Sequence, residues 1–330
     1  MAAPDLTAYE ELTVDQQIGP DDTDAVQGWP LMFPDGSAPL SPDSTTVKSS
    51  DWSGFRDPNR VIYVDWVVDV HRVESTLVAE TARLRAENAV DRIAPDWLND
   101  GIGRDLIVLP FVDRAYFRVL SRAQRLALSD TITLPLVFES ADKLRHVEHA
   151  AALRVEVENA GAPDIFADVH DLWLNTEHWR PLRETVELLL ATEDWVEAVV
   201  AVNLVLEPLV GQFLRSEYLL PVAERNNDPF TPLIVNAWTA DTRRAATWTR
   251  ELTDHLGADP THGPANRDLL RRWISEWTER ARAAVDALTV LLVDAPGGGV
   301  DPERAWQNVI AESDGAITIA WTLPASGGHR

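Results

Sequence analysis

From position 57 onward, apolar residues recur at intervals of three and four, and the strict alternation of a half-buried strand is nearly absent. That periodicity restricts the chain to amphipathic helices packed on one another. Asp57 as N-cap and Pro58 at the first helical position predict a helix over 57–93, with Val61, Tyr63, Val64, Val67, Val70, Val73, Leu77 and Leu84 as its apolar positions and Pro95 as its stop. A second helix is expected over 104–129, marked by Leu106, Leu109, Tyr116, Phe117, Leu120 and Leu128 and kinked at Pro110. A third runs over 131–159 and ends before Gly161, and shorter ones fill 164–174 and 181–191. The stretch 194–225 is apolar on most sides and reads as a central helix. The turn Asn226-Asn227-Asp228-Pro229 leads into a helix through Leu256, and Asn266 opens a charged one reaching Asp294. Asp301-Pro302 restarts a short helix, and the β-favouring run 316–323 reads as a terminal strand or an extended tail. Residues 1–50, rich in Pro, Asp, Ser and Thr, read as an extended arm that docks on a partner subunit, so the expected organisation is an arm at 1–50 and one helical bundle at 51–330 without a di-iron site.

Charge and cysteine content remove several function classes. With 53 acids against 29 bases and a formal charge of −24, a nucleic-acid partner is not expected. The chain has no cysteine, which rules out disulfides, thiolate nucleophiles and sulfur-ligated metals and fits a reducing cytoplasm. The first twenty residues lack the basic and apolar regions of a secretory signal. The most apolar stretch, 195–220, is broken by Glu197, Asn203, Glu207, Arg215 and Glu217, so no membrane span is expected.

Catalytic motifs are missing. A di-iron bundle needs Glu-x-x-His on two helices, and none of the eight histidines has Glu three residues before it. His146 and His149, with Glu139 nearby, could form a two-histidine patch, but a third oxygen ligand at useful spacing is not evident, and a solvated or interface pair is preferred. There is no Gly-Lys-Ser/Thr, and Gly101-Ile102-Gly103 lacks the third glycine and the strand of a dinucleotide fingerprint. No Gly-x-Ser-x-Gly elbow is present. No catalytic, cofactor or metal residue is therefore assigned. The thirteen Trp point to a large core or to subunit contacts. Trp29, Met32, Phe33, Trp52, Phe55 and Trp321, in irregular or flanking segments, are the candidate interface residues.

Two stretches resemble a known family. Asp51-Trp52-Ser53-Gly54-Phe55-Arg56-Asp57-Pro58, followed by Tyr63, is similar to the Trp-x-x-Phe-x-Asp-Pro entry of the β (small) subunits of soluble di-iron monooxygenase hydroxylases. Asn203-Leu204-Val205-Leu206-Glu207-Pro208-Leu209, the Asn226-Asn227-Asp228 turn, Thr231-Pro232 and Asp241-Thr242-Arg243-Arg244 with Trp248 resemble the central helix pair of that family. The family includes methane, phenol, toluene, propane and alkene monooxygenases, and the resemblance spans roughly residues 50–260.

The resemblance implies an all-α, ferritin-like helical bundle with accessory helices and an extended N-terminal arm. It also implies a non-catalytic β subunit within αβ protomers, as α2β2 or with a γ subunit. The di-iron centre would lie in the catalytic α subunit, and a separate reductase with FAD and an iron–sulfur cluster would deliver electrons from NADH. A coupling protein would regulate turnover. The Arg-rich, Lys-poor composition suggests a bacterial source and, with the two motifs, favours an alkene or short-alkane substrate. In such a bundle, carboxylates released from metal duty need cations. Asp241 and Arg244 share a helical face, and Glu74 or Glu207 is expected to meet them in a charge network, the alternative being exposed helix pairs. Two other readings stay open: a self-contained ferritin-like metal protein using Glu139, His146 and His149, and an unrelated helical scaffold.

Overall fold

The computed structural model describes residues 6–15, 41–162, 166 and 168–317, and among them there is no strand. The long helices are α1 (Tyr63–Ala86), α2 (Leu109–Leu126), α3 (Asp130–Asn159), α4 (Val169–Asn175), α5 (Arg180–Ala191), α6 (Trp195–Arg225), α7 (Phe230–Ala258), α8 (Gly263–Val293) and α9 (Pro302–Ile317). The pair α2–α3 and the pair α6–α7 make the central bundle; α5 and α8 close one side of it, α9 lies on α6, and α1 rests on α3 and α7.

Helix α6 is long and apolar enough to cross a membrane by composition, yet most of it is buried among the other helices, as befits a core element. Asp194 caps it, accepting from the amides of Val196 (3.0 Å) and Glu197 (3.2 Å). Pro208 inside α6 lacks the N–H of the regular ladder, and Ala201–Gly211 and Phe213–Leu219 adopt π-helical hydrogen bonding around it. The Asn-Asn-Asp turn works residue by residue. Asn226 donates to the carbonyls of Val222 and Pro296, both at 2.8 Å. Asn227 takes the left-handed conformation (φ 56°). Asp228 accepts from the amides of Phe230 and Thr231 at the start of α7.

Several expected boundaries are corrected. The first helix begins at Tyr63, not at 57, because Asp57 closes a local turn on the Asn59 amide (2.9 Å) and Arg60 is left-handed (φ 48°). It ends at Ala86, well before Pro95, where Asn88 is also left-handed (φ 51°). Pro110 kinks nothing: α2 starts at Leu109, and proline in the first turn lacks an N–H that would be unpaired anyway. The residues before it form the π-helical turn Trp97–Asp105 and the short Leu106–Val108. The charged helix opens at Gly263, three residues before Asn266, whose side chain bridges the carbonyls of Leu256 and Lys48. Residues 316–317 are the end of α9, and 318–323 lie outside the described residues.

Residues 41–50 lie along this chain's own bundle. The Thr45 hydroxyl (2.8 Å) and the Thr46 amide (2.6 Å) donate to Asp194, Val47 is fully buried, and Ser50 donates to Asp259.

Candidate functional site

Helix α3 carries Glu139, Asp142, Lys143, His146 and His149 at helical spacing on its inward side, and all five are buried. Charged side chains seldom reach an interior unless paired. Here all but Glu139 are paired, in two linked clusters. In the first, the Lys143 ammonium meets Glu207 of α6 and lies 3.9 Å from Asp113 of α2, and Arg215 donates to the other oxygen of Glu207 at 2.7 Å. Glu207 and Arg215 approach across Gly211, where an added Cβ would fall 2.6 Å from the Glu207 carboxylate and 2.8 Å from the guanidinium.

The second cluster joins α1, α3 and α7. Arg145 reaches Glu74 and Asp142, both at 2.9 Å, and Asp241 at 3.3 Å. Arg244 donates to Asp142 and, at 3.1 Å, to Asp241. The Trp66 indole donates to Asp142 at 3.1 Å. His146 links the clusters, with Nε2 3.2 Å from Asp241 and Nδ1 3.5 Å from Asp113. His149 accepts from the Trp238 indole at Nδ1 (3.1 Å), so its Nε2 carries the proton that goes to Glu74 (2.9 Å).

The protonation states follow from these contacts. Burial pushes Glu207 up, but the charges of Lys143 and Arg215 outweigh it and hold its carboxyl well below the usual range. Burial would neutralise Lys143; Glu207 and Asp113 reverse that and raise its pKa. His146 is likewise raised, because Asp113 and Asp241 outweigh burial. For His149 burial wins, and the ring is held neutral. Glu139 stands apart from both ion clusters. Burial pushes it up to about 7 against the pull of Lys143 and of hydrogen bonds from Asn203 (3.0 Å) and the Trp248 indole (2.9 Å).

Of the residues singled out in the sequence, Glu74, Asp241 and Arg244 come together through Arg145 and Asp142, while Glu207 lies in the neighbouring Lys143 cluster. Glu139, His146 and His149 do not converge: Glu139 faces Trp248 and Asn203, His146 faces two aspartates, and His149 faces Glu74 and Trp238. Among the described residues, no group of three or more His, Asp or Glu is placed to hold a metal ion. Phe55 is buried in this chain's own core, and Trp52 packs on Trp195 with ring centres 5.9 Å apart. Trp29, Met32, Phe33 and Trp321 lie outside the described residues. The sequence reading passed over Asp113, Asp142, Lys143, Arg145 and Arg215. For Asp142 and Lys143 the signal was the run of polar residues at 139, 142, 143, 146 and 149, one face of a helix that is otherwise well supplied with apolar residues; Asp113, Arg145 and Arg215 lie outside that run.

The middle of this helical bundle is thus occupied by paired ions from several helices, and comparison with known proteins gives its kinship. The chain belongs to the Methane/Phenol/Alkene Hydroxylase family, whose sequence profile matches residues 29–260. It is 32% identical over 295 residues to the propane 2-monooxygenase hydroxylase component small subunit of Mycolicibacterium goodii, covering 86% of this chain and 76% of that one. It is 28% identical to the methane monooxygenase component A beta chain of Methylococcus capsulatus, covering 91% and 79%. Among solved structures, phenol hydroxylase from Pseudomonas sp. OX1 superposes with a TM-score of 0.80 at 17% identity, over 98% of this chain and 92% of that one. Toluene 4-monooxygenase with toluene in its resting active site gives 0.70 at 24%, over 76% and 81%. These likenesses establish the ferritin-like helical fold.

A di-iron centre does not suit the residues at the middle of this bundle. Lys143, Arg145, Arg215 and Arg244 already neutralise its carboxylates, and the Nδ1 lone pair of His149 is taken by an indole N–H.

Proposed function

We propose that this chain is the small (β) subunit of the hydroxylase component of a multicomponent monooxygenase acting on a short alkane, and that its contribution is to assembly and not to chemistry. The observation that carries the reading is the set of four cations, Lys143 buried and Arg145, Arg215 and Arg244 partly buried, paired with the carboxylates at the bundle centre. They stand in place of metal ligands, and an incoming ferrous ion would meet like charge where relatives with a metal site present open oxygen and nitrogen donors. The substrate class rests on kinship with the propane 2-monooxygenase small subunits of Mycolicibacterium goodii and Gordonia sp., at 32% and 33% identity. In this reading the catalytic α subunit holds the di-iron centre, a separate reductase supplies electrons from NADH, a coupling protein completes the system, and the complex works in the cytoplasm.

The test separates structure from chemistry. The purified chain, loaded with ferrous ion and desalted, is expected to retain far less than one iron per chain and to oxidise no propane with dithionite and oxygen. Co-expressed with the large subunit of its own system, it is expected to form a stable iron-containing complex that oxidises propane once reductase, coupling protein and NADH are added. Stoichiometric iron in the isolated chain would sink the reading.

A further inference from the structure

Helix α1 has more apolar surface than its own chain covers. At about 100° per residue, its apolar side chains spread over roughly 220° of its circumference, from Val73 through Leu77, Tyr63, Val67, Val78 and Val64 to Val68. A helix packed on one side needs little more than half of that arc. The inner part is engaged: Leu77 and Leu84 are buried, and Trp66 stacks on Phe138 with ring centres 5.5 Å apart. The outer part is bare, with Tyr63 at 65% exposure, Val64 at 63%, Val68 at 51% and Val78 at 68%.

Val64, Val68, His71, Ser75, Val78 and Ala82 follow one another at steps of four and three, the spacing of a seam that meets a second helix. Beside this seam lies a groove of about 240 Å³ between α1, α3 and the start of α7, walled mainly by apolar side chains such as Val78, Ala82, Leu153, Phe230 and Leu233, with Glu74 and the Arg85–Glu156 ion pair also on its wall. Seam and groove together leave several large apolar side chains of α1 exposed side by side, and clustered exposed apolar surface, unlike scattered single residues, marks an interaction site.

The electrostatics decide the occupant. On the polar flank of α1, Arg72 is paired with Asp69 at 2.8 Å and Arg83 is shared between Glu80 and Glu87. Asp65 has no cation among the described residues. A second copy would bring the same acidic flank and the same charge of −24 to the contact. A different chain, apolar along the seam and basic at its edge, matches the surface.

We propose that the outer seam of α1 and the adjoining groove seat the large hydroxylase subunit, which lays an apolar helix along Val64, Val68 and Val78 and sets an apolar side chain in the groove. This rests on the reading of the chain as a small subunit. It gives α1 a covered second face, and it places the Arg145 cluster, which reaches α1 at Glu74, directly beneath the subunit boundary.

The experiment measures binding of the purified chain to the separately prepared large subunit of its own system. The variant is Val64→Asp/Val68→Asp/Val78→Asp, with Leu174→Asp/Leu188→Asp as a control at exposed apolar positions on other helices. Circular dichroism and thermal melting establish that each variant remains folded. The triple variant is expected to bind at least ~10-fold more weakly, as for loss of an interface anchor, and the control to bind like the wild type. Unchanged binding by the folded triple variant overturns the assignment, as does a homodimer of the wild-type chain that the triple variant dissolves. A wild-type chain that fails to bind the large subunit at all overturns the functional reading itself, so the two failures are told apart.

Discussion

Replacing Lys143 with methionine keeps the length and most of the volume of the side chain and removes only its charge. Lys143 is 2% exposed and meets Glu207 and Asp113, which are 7% and 13% exposed at their side chains. Removing one member of a buried ion pair costs about 3–5 kcal/mol, because the partner is left charged in a medium that cannot solvate it. Glu207 keeps Arg215 at 2.7 Å and Asp113 keeps His146 at 3.5 Å, which places Lys143→Met at the lower end, about 3 kcal/mol. Urea titration of the isolated chain reads this as a lower midpoint at unchanged slope. The triple substitution Lys143→Met/Glu207→Met/Arg215→Met removes the charges together, and such replacements are commonly neutral or stabilising. It is expected to recover most of the loss. A single variant within about 1 kcal/mol of wild type would show that Lys143 carries no needed charge, against the pairing argument. A triple variant less stable than the single would show that the ions hold the bundle together instead of merely satisfying one another.

Glu139 gives a pH signature. Its folded pKa, raised by burial to about 7, exceeds that of an unfolded glutamate, so the stability it contributes is fully present below about pH 4.5 and is lost as pH rises through 7. Glu139→Gln keeps the shape without the ionisation, and its stability relative to wild type is expected to climb by about 2–3 kcal/mol between pH 4.5 and 8, then level off; a flat difference across that range counts against a buried neutral acid. Gly101→Ala is expected to cost about 1–3 kcal/mol in thermal or urea unfolding, because the new Cβ would lie 2.1 Å from the Trp97 ring, which the Asp228 hydrogen bond at 2.8 Å holds in place. A melting temperature equal to wild type would mean that the ring is free to move.

Where the chain speaks locally, its sequence could be read. The spacing of apolar residues gave the long helices, Asp194 announced the start of α6, and the Asn-Asn-Asp run announced the turn into α7. Each depends on a few neighbouring residues and on backbone chemistry that changes little with context. The boundary of α1 was misread because Asp57-Pro58 serves equally well as a helix opening or as a turn, and only the left-handed Arg60 decides between them. Gly101-Ile102-Gly103 lacks the third glycine and the strand of a dinucleotide fingerprint, and the fold gives Gly101 another use, since it is small where Trp97 lies across it. Of the central network, the pair Asp241 and Arg244 was visible because three residues on a helix is a local distance.

Lys143, Arg145 and Arg215 were not legible in the same way, because their partners are contributed by other helices: Glu207 lies 64 residues from Lys143, and Glu74 lies 71 from Arg145. A sequence shows that a helix carries five polar residues on one face without showing what lies opposite. The physical choice was nevertheless constrained. A buried stripe of acids and histidines must be met by metal ions or by cations, since unpaired charge is not tolerated in an interior. The stripe on α3 contains its own lysine at 143 and arginine at 145, and a ligand set that brings its own cations has less need of a metal. That inference required only the residue types along one helix, and it points to the same ion network that the folded chain displays at its centre.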